Sequence, residues 1–374
     1  MGVGGRRLFL TSAASLLASP ALGQGFAGLG TAAEGFAVPE RGPFAFPADH
    51  GPHPEFRIEW WYVTANLRLP DGTPAGAQWT LFRSALRPED GEGWGAPQLW
   101  MGHMGLTLPN RHVAAERLAR GGIGQAGAVA EPFEAWIDEW SMEGPTLADV
   151  RMRAFGPRDG YDLRLVADGP FVAQGEDGYS VKSREGQASR YYSQPFYRVE
   201  GTLFVDGGEV PVTGRGWLDR EWSSQPLSEG QTGWDWFSLR LDEGPGTEGG
   251  PEGFGAAMMG FRLRDAAGDY TSATWIAPDG ATAPMPAGAL VAEPLEEAVV
   301  AGRTVPVVWR VALPERGVDV TVRAVNPAAW MDLRVPYWEG PVTVEGSHRG
   351  EGYLEMTGYE APADAARAGL EPVE

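Results

Sequence analysis

A chain of 374 residues, 43 % of them hydrophobic, is long enough for one large domain or two ordinary ones and has the means to bury a core. A formal net charge of -20 excludes a polyanionic partner such as nucleic acid, because a phosphate backbone requires a basic face and none is visible. Zero cysteines exclude disulfides and thiolate metal sites, while 53 Gly and 15 Trp point to a turn-rich β protein lined with aromatics.

In chain order, the first signal is an address. Arg6-Arg7-Leu8-Phe9-Leu10 has the paired arginines of a twin-arginine export signal, followed by an apolar run to Leu22 and a cleavage site at Ala21-Leu22-Gly23. Residues 1–23 are thus expected to be removed, and the mature chain to be periplasmic or secreted. The apolar run is too short and too Ser-rich to span a bilayer comfortably.

Glu59-Trp-Trp-Tyr-Val-Thr-Ala-Asn-Leu67 then reads as a strand ending in the turn Pro70-Asp71-Gly72. His103 sits in the apolar run Trp100 to Leu106, and Arg111 to Leu118 is the best, though brief, helical pattern. Thr202 to Val205 and Val210 to Thr213 form a hairpin across Asp206-Gly-Gly. Trp234-Asp-Trp-Phe-Ser-Leu-Arg-Leu241 repeats the earlier Trp-headed strand and runs into Asp242-Glu243-Gly244.

Two segments repeat in the same order. Tyr197-Arg-Val-Glu200-Gly201, a hairpin and Gly214-Arg-Gly-Trp-Leu-Asp219 are matched by Tyr337-Trp-Glu339-Gly340, a turn and Gly350-Glu-Gly-Tyr-Leu-Glu355. The chain therefore reads as an internal duplication, with copies at roughly 40–225 and 226–361 and an Ala-, Pro- and acid-rich tail over 362–374. Each copy carries too many short strands for an open sheet covered by helices. Closure removes the exposed edges, so the fold class predicted is all-β, two tandem antiparallel β-barrels.

Candidate chemistry gathers on Gly214 to Ser224. On a strand, Trp217, Asp219 and Glu221 share one face, and Leu218, Arg220 and Trp222 the other. If the first face is buried, desolvation and mutual repulsion raise at least one carboxyl pKa, which makes Asp219 or Glu221 a general acid. The competing reading is a structural ion pair with an arginine. Glu59 beside Trp60 and Trp61 is a second acid held by aromatics, equally open to closing a barrel end through an arginine. His103 fits a satisfied core histidine. The histidines show no metal-ligand spacing, no Gly-rich element opens a helix to hold a nucleotide, and no nucleophile elbow is present, so neither metal nor cofactor is expected. The Trp set, Trp61 and Trp236 included, is expected to line an apolar cavity.

Pro54 to Thr64, Gly214 to Ser224, Gly233-Trp-Asp-Trp-Phe237 and Gly352-Tyr-Leu-Glu-Met-Thr-Gly-Tyr359 resemble the AttH-type, carotenoid 1,2-hydratase-like secreted proteins, over residues 40–360. The resemblance implies two lipocalin-like (calycin-type) barrels and an isoprenoid- or lipid-like ligand. It also implies a proton-donating acid two residues after an aromatic, which falls on Trp217-Leu-Asp219, with Trp217 or Tyr192 as the aromatic wall for a carbocation. Two departures stand out: Arg190-Tyr-Tyr-Ser193 occupies a run where the hydratase branch has a His and a Trp, and Trp217 replaces a Tyr. The expected function is an acid-catalysed hydratase or hydrolase acting on a hydrophobic substrate. The alternative is a non-catalytic periplasmic lipid carrier or partner of a membrane-associated export system.

Overall fold

In the computed structural model, residues 35–88, 91, 93–225, 228, 230–248 and 254–359 are described. Residues 1–23, expected to be an export signal, and the tail 362–374 lie outside them. Thirteen strands come first: β1 (Ile58–Arg68), β2 (Pro74–Ala85), β3 (Gln98–Leu108), β4 (Arg111–Arg120), β5 (Ala126–Val129), β6 (Phe133–Ile137), β7 (Trp140–Thr146), β8 (Asp149–Phe155), β9 (Gly160–Ala167), β10 (Val172–Ala173), β11 (Tyr179–Val181), β12 (Ala188–Val205) and β13 (Gly208–Ser223). Ten follow: β14 (Gln231–Glu243), β15 (Ala256–Asp265), β16 (Tyr270–Ile276), β17 (Thr282–Met285), β18 (Val291–Val300), β19 (Arg303–Leu313), β20 (Val318–Ala324), β21 (Trp330–Met331), β22 (Tyr337–Gly346) and β23 (Arg349–Met356). All pairings between them are antiparallel, and no α-helix occurs among the described residues.

The protein is all-β. The first sheet runs β4-β3-β2-β1-β13-β12-β9-β8-β7-β6-β5 and curls into a nearly closed barrel; the second runs β17-β16-β15-β14-β23-β22-β20-β19-β18 and forms a half-barrel. Both orders share one logic, in which the opening strand pairs with the closing one, β1 with β13 and β14 with β23. Each sheet wraps its own apolar core, around Trp79, Trp140 and Met152 in the first and Trp309, Trp338 and Val320 in the second. A third cluster, with Tyr62, Tyr191, Trp217, Trp236, Phe261 and Tyr353, lies between the two sheets.

Two expectations need correction. Arg111 to Leu118 is not helical: it forms β4, and its cross-strand bonds to β3 override the weak helical periodicity. Glu339-Gly340 is not the structural counterpart of Glu200-Gly201. Glu339 faces Glu355 across β22 and β23, as Ser193 faces Asp219 across β12 and β13, so Glu339 corresponds to Ser193. The hairpin of the first copy is longer, which shifts the sequence match out of register.

The Gly-x-Gly motif belongs to the sheet. A Cβ at Gly214 would stand 2.0 Å from the Asn66 carbonyl oxygen on β1, and one at Gly350 would stand 1.9 Å from the Arg240 carbonyl oxygen on β14. Only glycine permits that approach. Pairing register makes Asn66 and Arg240 counterparts, and likewise Tyr62 and Trp236. Each touches its own counterpart across the junction. Arg240 donates to Asn66 Oδ1 at 3.2 Å, and the Tyr62 and Trp236 rings meet edge to face at 5.2 Å. The two copies thus present the same face to each other.

Candidate active site

Strand parity decides which side chains reach this junction. On β13, Leu218 and Trp222 point into the first barrel's core, so Trp217, Asp219 and Glu221 point toward the second barrel. Across β1, Trp60 pairs with Glu221 and Tyr62 with Asp219; across β12, Tyr191 pairs with Glu221 and Ser193 with Asp219. These residues gather around a cavity of about 430 Å³ between the barrels. Its floor holds Asp219, Glu221, Glu355, Lys182 and Tyr191, and its walls include Trp60, Tyr62, Trp234, Trp236 and Phe261. Its outer lining includes Leu86, Leu99 and Leu118, each more than 40 % exposed.

Asp219 is buried and fully engaged. Oδ1 accepts hydrogen bonds from Trp217 Nε1 at 2.7 Å and Ser193 Oγ at 2.5 Å, while Oδ2 accepts from the Tyr191 hydroxyl at 2.5 Å. Trp236 Nε1 donates in turn to the Tyr191 oxygen at 3.2 Å. Burial pushes the Asp219 carboxyl up to about 7; the bonds from Ser193, Tyr191 and Trp217 pull the other way, and the nearby Glu221 carboxylate adds to the rise. Two donors, the Trp217 indole and the Ser193 hydroxyl, already point at Oδ1, whereas Oδ2 meets a hydroxyl that can accept, so a proton on Asp219 is better accommodated on Oδ2. In that protonation state the bond runs the other way, from Oδ2 to the Tyr191 oxygen.

Glu355 is the counterpart of Asp219 on the second barrel and lines the same cavity. Burial lifts it to about 7 as well; the bond from Trp234 Nε1 at 2.6 Å opposes this, and Asp219 and Glu221 reinforce it. Glu221 accepts from Ser189 Oγ and lies 2.9 Å from Lys182 Nζ. Behind this floor, Glu339 accepts from the Tyr62 hydroxyl, and burial with the neighbouring Glu355 keeps its pKa well above the usual carboxyl range.

The other sequence candidates are placed as follows. Trp217 does not line the cavity; it is fully buried beneath it and orients Asp219. Trp61 lies in the first barrel's core, with the Arg220 guanidinium 3.8 Å from its ring centre. Glu59 reaches the cavity's edge but is bound to Arg83 and Arg220, both almost fully buried. Burial alone would raise its pKa, yet the two arginines hold it far below the usual range. Tyr192 points into the first barrel, bonded to His50 Nδ1 at 2.7 Å and packed against Phe44, Phe46 and Trp222. His103 is buried outside the cavity and stacks on Tyr337, whose hydroxyl is 3.0 Å from Nδ1; burial depresses it to about 3, so it is neutral. Trp236 and Glu221 line the cavity. Among the described residues, no group of three or more His, Cys, Asp or Glu is disposed to hold a metal.

Sequence reasoning missed Tyr191, Glu355 and Lys182. Parity relative to Asp219 selects Tyr191 over Tyr192 and Trp60 over Trp61. Lys182 had a compositional signal: of the 30 Lys and Arg residues in the chain, it is the one lysine.

The model of the AttH-like family matches residues 37–359. The crystal structure of an AttH protein from Nitrosomonas europaea superposes with a TM-score of 0.76 at 32 % identity, covering 86 % of this chain and 99 % of that one. Kievitone hydratase from Nectria haematococca shares the fold at a TM-score of 0.62 and 16 % identity, covering 87 % of this chain and 96 % of its own. No curated protein sequence matches significantly. With nearly the whole described region matched by the family model and by a solved structure, the chain belongs to the AttH-like family.

Proposed function

We propose that the protein adds water across a carbon–carbon double bond of a hydrophobic substrate, with Asp219 as the proton donor. The observation that carries this reading is a buried carboxyl with a pKa near 7 on the floor of a largely apolar cavity. Such a group keeps its proton near neutral pH and, once ionised, has three fixed donors waiting for its charge. Transfer of the Oδ2 proton, through the Tyr191 hydroxyl, converts the alkene π pair into a C–H bond. The adjacent carbon becomes a cation faced by the rings of Trp60 and Trp236. Water then attacks the cation and gives up a proton to the Asp219 carboxylate, which restores the acid for the next turnover, while Glu355 faces the same space from the opposite barrel. The hydratase among the fold's neighbours supports the reaction class. We further place this chemistry outside the cytoplasm, on the strength of the Arg6-Arg7 segment.

The test is mass spectrometry of ligands co-purifying with the protein, before and after incubation in heavy-oxygen water. Wild type incorporates label, whereas Asp219→Asn retains the ligand and the fold but incorporates none. Undiminished incorporation by the variant removes Asp219 from the mechanism.

A further inference from the structure

Lys182 calls for an explanation that neither the fold nor the proton donor supplies. Every other cation in the chain's Lys and Arg complement is an arginine, and the ion pairs that hold the barrels together are all built with arginine or histidine. The one lysine stands just after β11 on the cavity floor, 9 % exposed. Neutralising Glu221 would take any cation. What lysine supplies instead is a compact ammonium with three rotatable donors on a flexible stem. One donor is directed at Glu221 Oε1, 2.9 Å away. The flanks of the ammonium rest on the faces of Phe261 and Tyr191, at 4.4 and 4.8 Å from the ring centres. This fixes the charge inside an aromatic slot and leaves donor capacity for a ligand.

We infer that Lys182 is the polar anchor of the cavity, and that the ligand is an apolar chain bearing a neutral carbonyl oxygen. This rests on the reading of the cavity as a site for hydrophobic substrate and names the substrate's class. A pure hydrocarbon would leave the ammonium's remaining donor capacity desolvated and unused, at a cost in affinity. An anionic head group would meet Glu221, Asp219 and Glu355 on the same floor. A ketone, aldehyde or ester oxygen accepts from the ammonium without bringing charge. The Tyr191 ring joins the two ends of the site, with Lys182 over its face and Asp219 on its hydroxyl. The reacting double bond therefore lies about one ring's length from the anchored oxygen.

The test measures binding by quenching of intrinsic Trp fluorescence with three probes: methyl undecyl ketone, the terminal alkene with the same number of heavy atoms, and myristate. Wild type is expected to bind the ketone about tenfold more tightly than the alkene, with myristate weaker than the ketone at neutral pH. Lys182→Met combined with Glu221→Gln, which keeps the floor's charge balanced, should bind ketone and alkene equally while melting like wild type. Equal binding of the two by wild type, or an undiminished ketone preference in the double variant, overturns the anchor and leaves the apolar site standing. Failure of all three probes to bind overturns both. Because the chain has one lysine, reductive methylation modifies Lys182 and the N-terminus alone. Protection of Lys182 by the ketone and not by the alkene is a second, independent requirement.

Discussion

The raised pKa of Asp219 ties the proposed chemistry to a measurable penalty in stability. In an unfolded chain the group ionises near its ordinary value of 3.8, whereas in the folded protein it ionises at about 7. Below the lower value both states are protonated and the group contributes nothing. Between the two values the unfolded state gives up its proton first, so stability falls as pH rises, and above about 7 the loss is complete. The gap corresponds to about 4 kcal/mol. His50, His103 and His112 act in the opposite direction, because burial lowers them to about 4, 3 and 4, and each favours the folded state as pH rises toward 6.5. The slope of the wild type alone is therefore not diagnostic. The difference between wild type and Asp219→Asn cancels the histidine contributions and leaves the Asp219 carboxyl together with its coupling to Glu355. Urea denaturation from pH 4 to pH 8 should show wild type losing up to about 4 kcal/mol relative to the variant, most of it before pH 7. A difference that stays constant with pH would refute the burial argument and, with it, the account of Asp219 as an acid held ready near neutrality.

Two further outcomes follow from the packing. Arg220→Met removes one of the two cations from the fully buried Glu59 and should cost about 3–5 kcal/mol in urea denaturation; a loss under about 1 kcal/mol would mean that Arg83 alone satisfies the carboxylate. Gly214→Ala forces β1 away from β13 and should destabilise by about 1–3 kcal/mol, whereas Gly42→Ala, whose added carbon meets nothing within 4 Å, should be close to neutral; equal melting temperatures would refute the close-approach account.

Much of the architecture could be read from spacing alone. Alternation on Gly214–Ser224 assigned Asp219 and Glu221 to one face and Leu218, Arg220 and Trp222 to the other, and the cores and cavity divide along that line. What spacing could not supply was the identity of the environment on each side. The acidic face meets the second barrel and not the inside of the first, because the third apolar cluster is built from both copies. Residue type alone does not separate Tyr192 from Tyr191 or Trp61 from Trp60; strand parity relative to Asp219 does, and it puts Tyr191 and Trp60 on the cavity side. In the repeat, Glu355 is simply the copy of Asp219; that both line one cavity depends on how the two barrels meet, which no local pattern encodes.

The face-to-face meeting of counterpart residues has a consequence for the origin of the site. Contacts such as Tyr62 with Trp236 and Asn66 with Arg240 are what an isologous dimer produces on its symmetry axis. Two identical single-barrel subunits joined this way would bring the same acid from each partner to one shared floor, where the two could differ only in which of them holds a proton at a given moment. Covalent linkage breaks that equivalence. It lets one position become Asp219 with its Ser, Tyr and Trp donors, the other remain Glu355 on a single indole, and one ammonium be added on one side only. In the single chain the two acids therefore differ in residue type and in the donors that hold them, whichever of them carries a proton.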